Sequence, residues 1–225
     1  MTGFADTFLN VPVIMRSLPA VASGFVLTVE LAVLVVGTGL AAGLLLAVAR
    51  TFGIRPLNWL IIFVVDLFRA LPPLVIILLI YFGAPAFDAT PSGFLCTWIS
   101  LSLVLMAFAE EIYWAGITAV PRGQWEAARS TGLGFSAALR HVVLPQALRI
   151  TVPPLTNRTI AITKGTALGS VVAVSEILSQ ASSAMSFSGN PSPLMLGAAA
   201  YLVLFLPMVA AGRWVERRWR QHPAR

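Results

Sequence analysis

Between Ala20 and Ala49 the chain runs apolar for longer than the roughly 20 residues that cross a bilayer as a helix, and it carries Gly24, Gly37, Gly39 and Gly43 within that run. A segment of this kind constrains the fold more than anything else in the chain, because in lipid every backbone polar group must be satisfied inside its own element. Only helices and closed barrels meet that condition, and the length of the run selects helix. Composition extends the conclusion to the whole chain: 58% of residues are hydrophobic and 11% charged, against about a quarter charged in soluble domains. The mean hydropathy is +0.86. The expected fold class is therefore all-α, a polytopic integral membrane protein with about five transmembrane helices.

Five spans follow from the apolar runs, at about 20–49, 57–83, 95–119, 151–178 and 193–212. Arg50 and Arg55 directly after the first run mark the side that retains positive charge, which is the cytoplasm. The N-terminus is then outside, and residues 1–19 form an outer or interfacial segment. They lack the basic start and small-residue cleavage site of a secretory signal, so they are expected to stay on the mature protein. The second span is irregular, since Pro72 and Pro73 remove two backbone donors, and reads as an interfacial half followed by a spanning half. The loop 84–93 lies outside. The 120–149 loop, with Arg122, Arg129, Arg140 and Arg149, lies inside; 179–191 is a small, polar outer loop; and the basic, aromatic tail 214–225 is cytoplasmic.

The 120–149 loop is the most structured soluble stretch. Gln124 to Thr131 reads as a short helix, with Glu126 near the positive end of its dipole, Ala127 and Ala128 thinning one face, and Gly132 closing it in a left-handed turn. A second short helix, Ser136 to Val143, is expected to stop near Leu144, because Pro145 disfavours helical geometry at the residue before it. Such an element is suited to docking in a groove.

Other chemistry is scarce. No G-x4-G-K-[ST] phosphate loop is present, so the chain is not itself an ATPase. Cys96 cannot form an internal disulfide and reads as a packing residue, and His141 and His222 assemble with it into neither a metal site nor a triad. The net charge of +6 sits in loops beside apolar segments, without the basic stripe and exposed aromatics of a nucleic-acid surface. Polar groups within the spans do require an account, since a charge there costs several kcal/mol unless paired or wetted. They are Arg69, Glu110 and Glu111, and on the fourth span Asn157, Arg158, Thr163, Lys164 and Thr166. Counted at 1.5 Å per residue from the cytoplasmic ends, Glu111 and Arg158 both lie about 12 Å deep. They form either a buried pair that fixes packing or part of a polar lining of a transport path, or they stand exposed at the interface.

Glu126-Ala127-Ala128, Gly132 and then Val142-x-Leu144-Pro145 resemble, at the family's spacing E-A-A-x3-G-x9-I-x-L-P, the cytoplasmic loop of ABC importer permeases, with Val142 standing for Ile. Val120-Pro121-Arg122-Gly123-Gln124, Pro145-Gln146-Ala147-Leu148-Arg149 and Phe68-Arg69-Ala70-Leu71-Pro72 resemble the polar amino acid uptake branch of that family. The chain departs from it at Glu110 (usually Ala), Trp114 (usually Arg) and Gly165 (usually an acid). The resemblance implies a type I importer transmembrane domain over 20–213 in the bacterial inner membrane. It implies that Glu126, Ala127, Ala128, Gly132, Val142, Leu144 and Pro145 couple the chain to ABC ATP-binding subunits, which hold ATP-Mg and hydrolyse it, while this chain binds no cofactor. It implies a second permease copy or a sister permease, and a periplasmic binding protein. The contrasting expectation is a non-conducting scaffold that docks an ATPase, for which the polar fourth span has no use.

Overall fold

The computed structural model describes residues 3–220, and every regular element among them is helical. Short α1 (Phe4–Phe8) leads to α2 (Val11–Arg50), a 40-residue helix. It begins nine residues before the expected start at 20, so most of the segment assigned to an outer tail is helical. The preceding residue stabilises that start, because Asn10 Oδ1 accepts from the Val13 N–H at 3.3 Å. Pro12 falls in the first turn, where a missing N–H costs nothing, and Pro19 is carried within the helix.

The expected break at the prolines is present. Helix α3 (Arg55–Ala70) and α4 (Pro73–Gly83) are bent by 101°, with Pro72 extended at ψ 135° and Pro73 opening α4. Helix α5 spans Gly93–Ala119.

After α6 (Arg122–Ser130) and α7 (Phe135–Ala138), the chain does not stop at Leu144 as Pro145 suggested. A single π turn, Leu139–Val143, runs directly into α8 (Leu144–Thr163), and Leu144 itself is helical at φ −58°, ψ −43°. The Leu144 N–H reaches back five residues to the Leu139 carbonyl. That wider turn restarts the ladder, so Pro145 sits in the first turn of α8 and its ring does not meet a carbonyl of the turn before.

The fourth span also departs from a straight 151–178 helix. Helix α8 gives way to a 3₁₀ segment, Lys164–Val172, which closes at Ala173 in the left-handed region at φ +60°. Helix α9 (Ile177–Ser188) then occupies most of what reads as an outer loop, and α10 runs over Ser192–Arg220. Three helices are long and apolar enough to cross a membrane, and five spans result when each bent pair is counted as one.

The chain divides into two compact units. The first comprises Met1–Gly37, Leu71–Ser102 and Ile160–Val209. There Val21, Ile177 and Ala181 form one core cluster, and Ile77, Val172 and Val174 another. A Cβ on Gly24 would lie 2.9 Å from the Glu176 carbonyl, so only glycine lets α2 approach this closely. The second unit comprises Thr38–Ala70, Leu103–Thr159 and Ala210–Arg225. Its main core gathers Ala47, Ala109, Tyr113, Leu139, Val143 and Ala147. Gly43 lets α2 contact α5 at Ala109.

Candidate functional site

Helix α6 starts at Arg122, earlier than expected, which makes Glu126 its fifth residue rather than part of the first turn. The dipole of the helix end therefore contributes little at Glu126. Ala127 and Ala128 do not share a face. Consecutive helical residues are about 100° apart, and Ala128 is buried while Ala127 and Glu126 are exposed. Gly132 adopts the left-handed conformation its position predicts, φ +88°, and its N–H donates to the Arg129 carbonyl at 3.0 Å. Trp125 stacks on Phe135 at 5.3 Å, and Phe135 meets Phe52 at 5.6 Å, so aromatic contacts set the angle between α6 and α7.

Gln146 Nε2 donates to the Val142 carbonyl at 2.8 Å and to Gln124 Oε1 at 3.3 Å, joining α6 to the start of α8. Val142 and Leu144 are half-buried, and Pro145 is exposed. Glu126, Ala127, Gly132 and Pro145 thus present surface, while Ala128, Val142 and Leu144 hold that surface to the second unit. Beside it lies a cleft of about 460 Å3 lined by Trp114, Thr118, Arg122, Trp125, Glu126 and Phe135.

The polar groups of the spans sort differently from the sequence expectation. Glu110 is fully buried and pairs with Arg50, whose Nη1 lies 3.1 Å from Oε1, while the Arg50 guanidinium stacks over Trp114 at 4.4 Å. Glu111 pairs with Arg69, not with Arg158: Arg69 Nη2 lies 2.6 Å from Glu111 Oε2 and Nη1 lies 3.5 Å from Asp66. Depth counted along a helix axis does not fix partners; azimuth decides them. Neighbouring positions on α5 project about 100° apart, sending Glu110 to α2 and Glu111 to α3. Arg158 instead lies over the Phe108 ring at 3.8 Å.

Asn157 Nδ2 donates to Glu216 Oε1 at 2.9 Å, tying α8 to α10. Arg69, Glu110, Glu111, Asn157 and Arg158 all belong to the second unit, and Thr163, Lys164 and Thr166 to the first. Thr163 and Thr166 are fully buried, the Thr166 hydroxyl donating to the Thr163 carbonyl at 2.9 Å. Lys164 is exposed, 6.0 Å from the Phe205 ring, on a cleft of about 580 Å3 shared with Ala198, Tyr201 and Leu202.

Two residues escaped the sequence reading. Arg50 was legible as a topological marker but not as the partner of Glu110. Glu176, fully buried, accepts from the N–H groups of Ser179 at 2.7 Å and Leu178 at 2.9 Å and from the Tyr201 hydroxyl at 2.5 Å. The start of α9 supplies the donors that stabilise it. A lone acid followed by a 12-residue segment ending at Gly189 was the available signal. Among the described residues no three His, Cys, Asp or Glu side chains group as a metal site.

Comparison with known proteins places this geometry in context. Residues 39–221 match the family described as binding-protein-dependent transport system inner membrane component. The chain is 37% identical to the L-cystine transport system permease protein TcyB of Bacillus subtilis, covering 72% of this chain and 70% of that one. It is 33% identical to the arginine ABC transporter permease protein ArtQ of Escherichia coli, over 82% and 88% respectively. A solved structure of an amino acid ABC transporter with histidines superposes with a TM-score of 0.82 at 33% identity, covering 91% of this chain and 96% of that one.

Proposed function

The chain belongs to the family of binding-protein-dependent transport system inner membrane components, as a membrane permease subunit of an ABC transporter, and from that membership we propose that it imports a polar amino acid or related small zwitterion across a bacterial inner membrane. Energy comes from separate ATP-binding subunits that hold and hydrolyse ATP-Mg. A second permease copy or sister permease completes the path, and a periplasmic binding protein delivers the cargo. The N-terminus is periplasmic and the C-terminus cytoplasmic.

The observation that carries this reading is the element from Arg122 to Pro145. It exposes Glu126 and Ala127, turns at Gly132, and from Phe135 continues through a π turn into α8 with no break in helical structure. A push on α6 is therefore transmitted to a helix that also carries Asn157 and Arg158. ATP-driven closure of the partner subunits moves the Glu126 to Pro145 segment as a lever, and the helices alternate access to a polar path that includes Arg69, Glu111, Asn157 and Arg158. A non-conducting scaffold would have no need of α8's polar side chains. The deciding experiment reconstitutes the chain with its ATP-binding subunits and binding protein in liposomes and follows labelled amino acids. Uptake that requires ATP supports the reading, and assembly without uptake of any amino acid sinks it.

A further inference from the structure

Within the first unit, the first turns of α2 and helix α9 border a cavity of about 460 Å3, with Arg16, Ser17, Gln180, Ser183, Phe187 and Ser188 among its walls. Below it the two helices are packed tightly, Val21 against Ile177 and Ala181, with no room for a Cβ on Gly24 beside the Glu176 carbonyl. Above it the Asn10 N–H donates to the Ser192 hydroxyl at 2.9 Å, and Ser192 opens α10. Helix α10 has 29 residues, so it is about 43 Å long, the thickness of a bilayer with its headgroup layers. Ser192 then marks a headgroup surface. Arg16, six residues past Asn10, lies no more than about 9 Å beneath it, where headgroups meet acyl chains. On the topology proposed above this surface is periplasmic, and Arg16 is the basic residue left there against the retention of positive charge inside.

The donors of the cavity are unspent. Among the described residues no carboxylate lies within ion-pair distance of Arg16, and none lines the cavity. The Ser17 and Ser188 hydroxyls donate to their own helices, at the Val13 and Ala184 carbonyls, but the Gln180 amide and the Ser183 hydroxyl face the cavity without such partners. The rim is apolar and bare, with Val11 64%, Met15 62% and Phe187 92% exposed. In a membrane a rim of this kind is covered by acyl chains, and a long cationic side chain beside it extends to the phosphate layer.

We propose that the cavity between α2 and α9 binds the headgroup of an anionic phospholipid: Arg16 takes the phosphate, Gln180 and Ser183 donate to the remaining headgroup oxygens, and the acyl chains lie over Val11, Met15 and Phe187. A guanidinium presents paired donors that match two phosphate oxygens, and basic recesses between membrane helices suit such headgroups. A headgroup carrying an ammonium finds no carboxylate here, so the cavity favours a lipid of net negative charge. The bound lipid touches both helices and steadies α9 on α2. This goes beyond the transport reading and borrows from it only the side of the membrane.

The test uses the full-length chain in complex with its ATP-binding subunits, delipidated in mild detergent and titrated with phosphatidylglycerol or phosphatidylcholine of the same acyl chains. Native mass spectrometry counts the bound lipid. The first phosphatidylglycerol should bind at least about tenfold more tightly than phosphatidylcholine. Arg16→Gln should abolish that preference and Arg16→Lys should keep part of it, whereas Arg217→Gln, in the C-terminal tail, should leave it unchanged. Ser183→Trp fills the cavity without altering its charge and should weaken phosphatidylglycerol as well. Equal binding of the two lipids by the unmodified protein overturns the proposal even if the variants fail to fold. A preference that survives Arg16→Gln marks adventitious attraction to other cations, and one that survives Ser183→Trp moves the lipid out of the cavity; either result refutes the site. Soluble glycerol 1-phosphate should not compete at the lipid's own concentration, and if it does the cavity belongs to a free anion and not to a lipid. Amino acid uptake is measured separately, so loss of the lipid site leaves the transport reading standing.

Discussion

At Gly132 the backbone sits at φ +88°, and a Cβ built there would meet nothing within 4 Å. Any penalty for substitution is therefore conformational rather than steric crowding by neighbours. Valine resists the left-handed region, so Gly132→Val should cost about 2 kcal/mol locally or swing α7 to a new angle, whereas Gly132→Asn should be tolerated. With equal amounts inserted in the membrane, Gly132→Val should lose co-purifying ATP-binding subunit and Gly132→Asn should keep it. Equal capture by both variants would mean the turn does not set the docking geometry. The Arg50–Glu110 pair makes the second prediction at this scale. Glu110 is fully buried, so Arg50→Ala strands a carboxylate and should cost about 3–5 kcal/mol, while Arg50→Met with Glu110→Leu should recover most of it. Thermal unfolding in detergent reads the cycle, and additive losses would show that the pair is not coupled. The sequence reading missed the partner of Glu111, because residue counting gives height along a helix and not the direction a side chain leaves it.

Elements were legible where a long apolar run met a strong stop, and less so where two weak signals competed. Helix α5 ends within a residue of expectation, and the kink at Pro72 and Pro73 follows from missing donors. Pro145 misled because its local rule assumes an α-register predecessor, and the π turn at Leu139–Val143 changes that register. The fourth span misled because nothing in Lys164–Val172 forbids a helix. Its 3₁₀ winding goes with close packing, with a Cβ on Gly165 falling 3.1 Å from Leu101 and one on Gly169 falling 3.1 Å from the Thr97 hydroxyl. Glu176 then starts α9 by accepting two backbone N–H groups and the Tyr201 hydroxyl. Glu176→Ala should therefore lower stability by about 2–3 kcal/mol, and Tyr201→Phe by about 1 kcal/mol, since the latter removes a single bond. Hydrogen exchange at Leu178 and Ser179 distinguishes the cap from general loosening: the alanine variant should expose those amides and the phenylalanine variant should not. Unchanged exchange in Glu176→Ala would remove the cap from the account of why α9 begins there.

For the whole molecule the open variable is which bent pairs cross the membrane. Three uninterrupted helices qualify as spans, and the two bent pairs raise the number to five. Both counts are odd and leave the termini on opposite sides, so a reporter after Arg220 would report cytoplasm in either case and cannot decide. The loop 120–149 can. With three spans it lies outside and takes Arg122, Arg129, Arg140 and Arg149 with it, against the retention of positive charge in the cytoplasm. With five spans it lies inside, together with Arg50, Arg55, Arg213, Arg217 and Arg218, and only Arg16 is left outside. The surface built from Glu126, Ala127 and Gly132 can meet a cytoplasmic ATP-binding subunit only in the second arrangement. A reporter inserted at Gly134 should therefore report cytoplasm, and reporters at Asp88 and Ser188 should report periplasm. A periplasmic result at Gly134 would show that the first bent pair does not cross the membrane. It would also place the proposed coupling surface on the side where no ATP-binding subunit can reach it, and the permease mechanism built on that surface would fail with it.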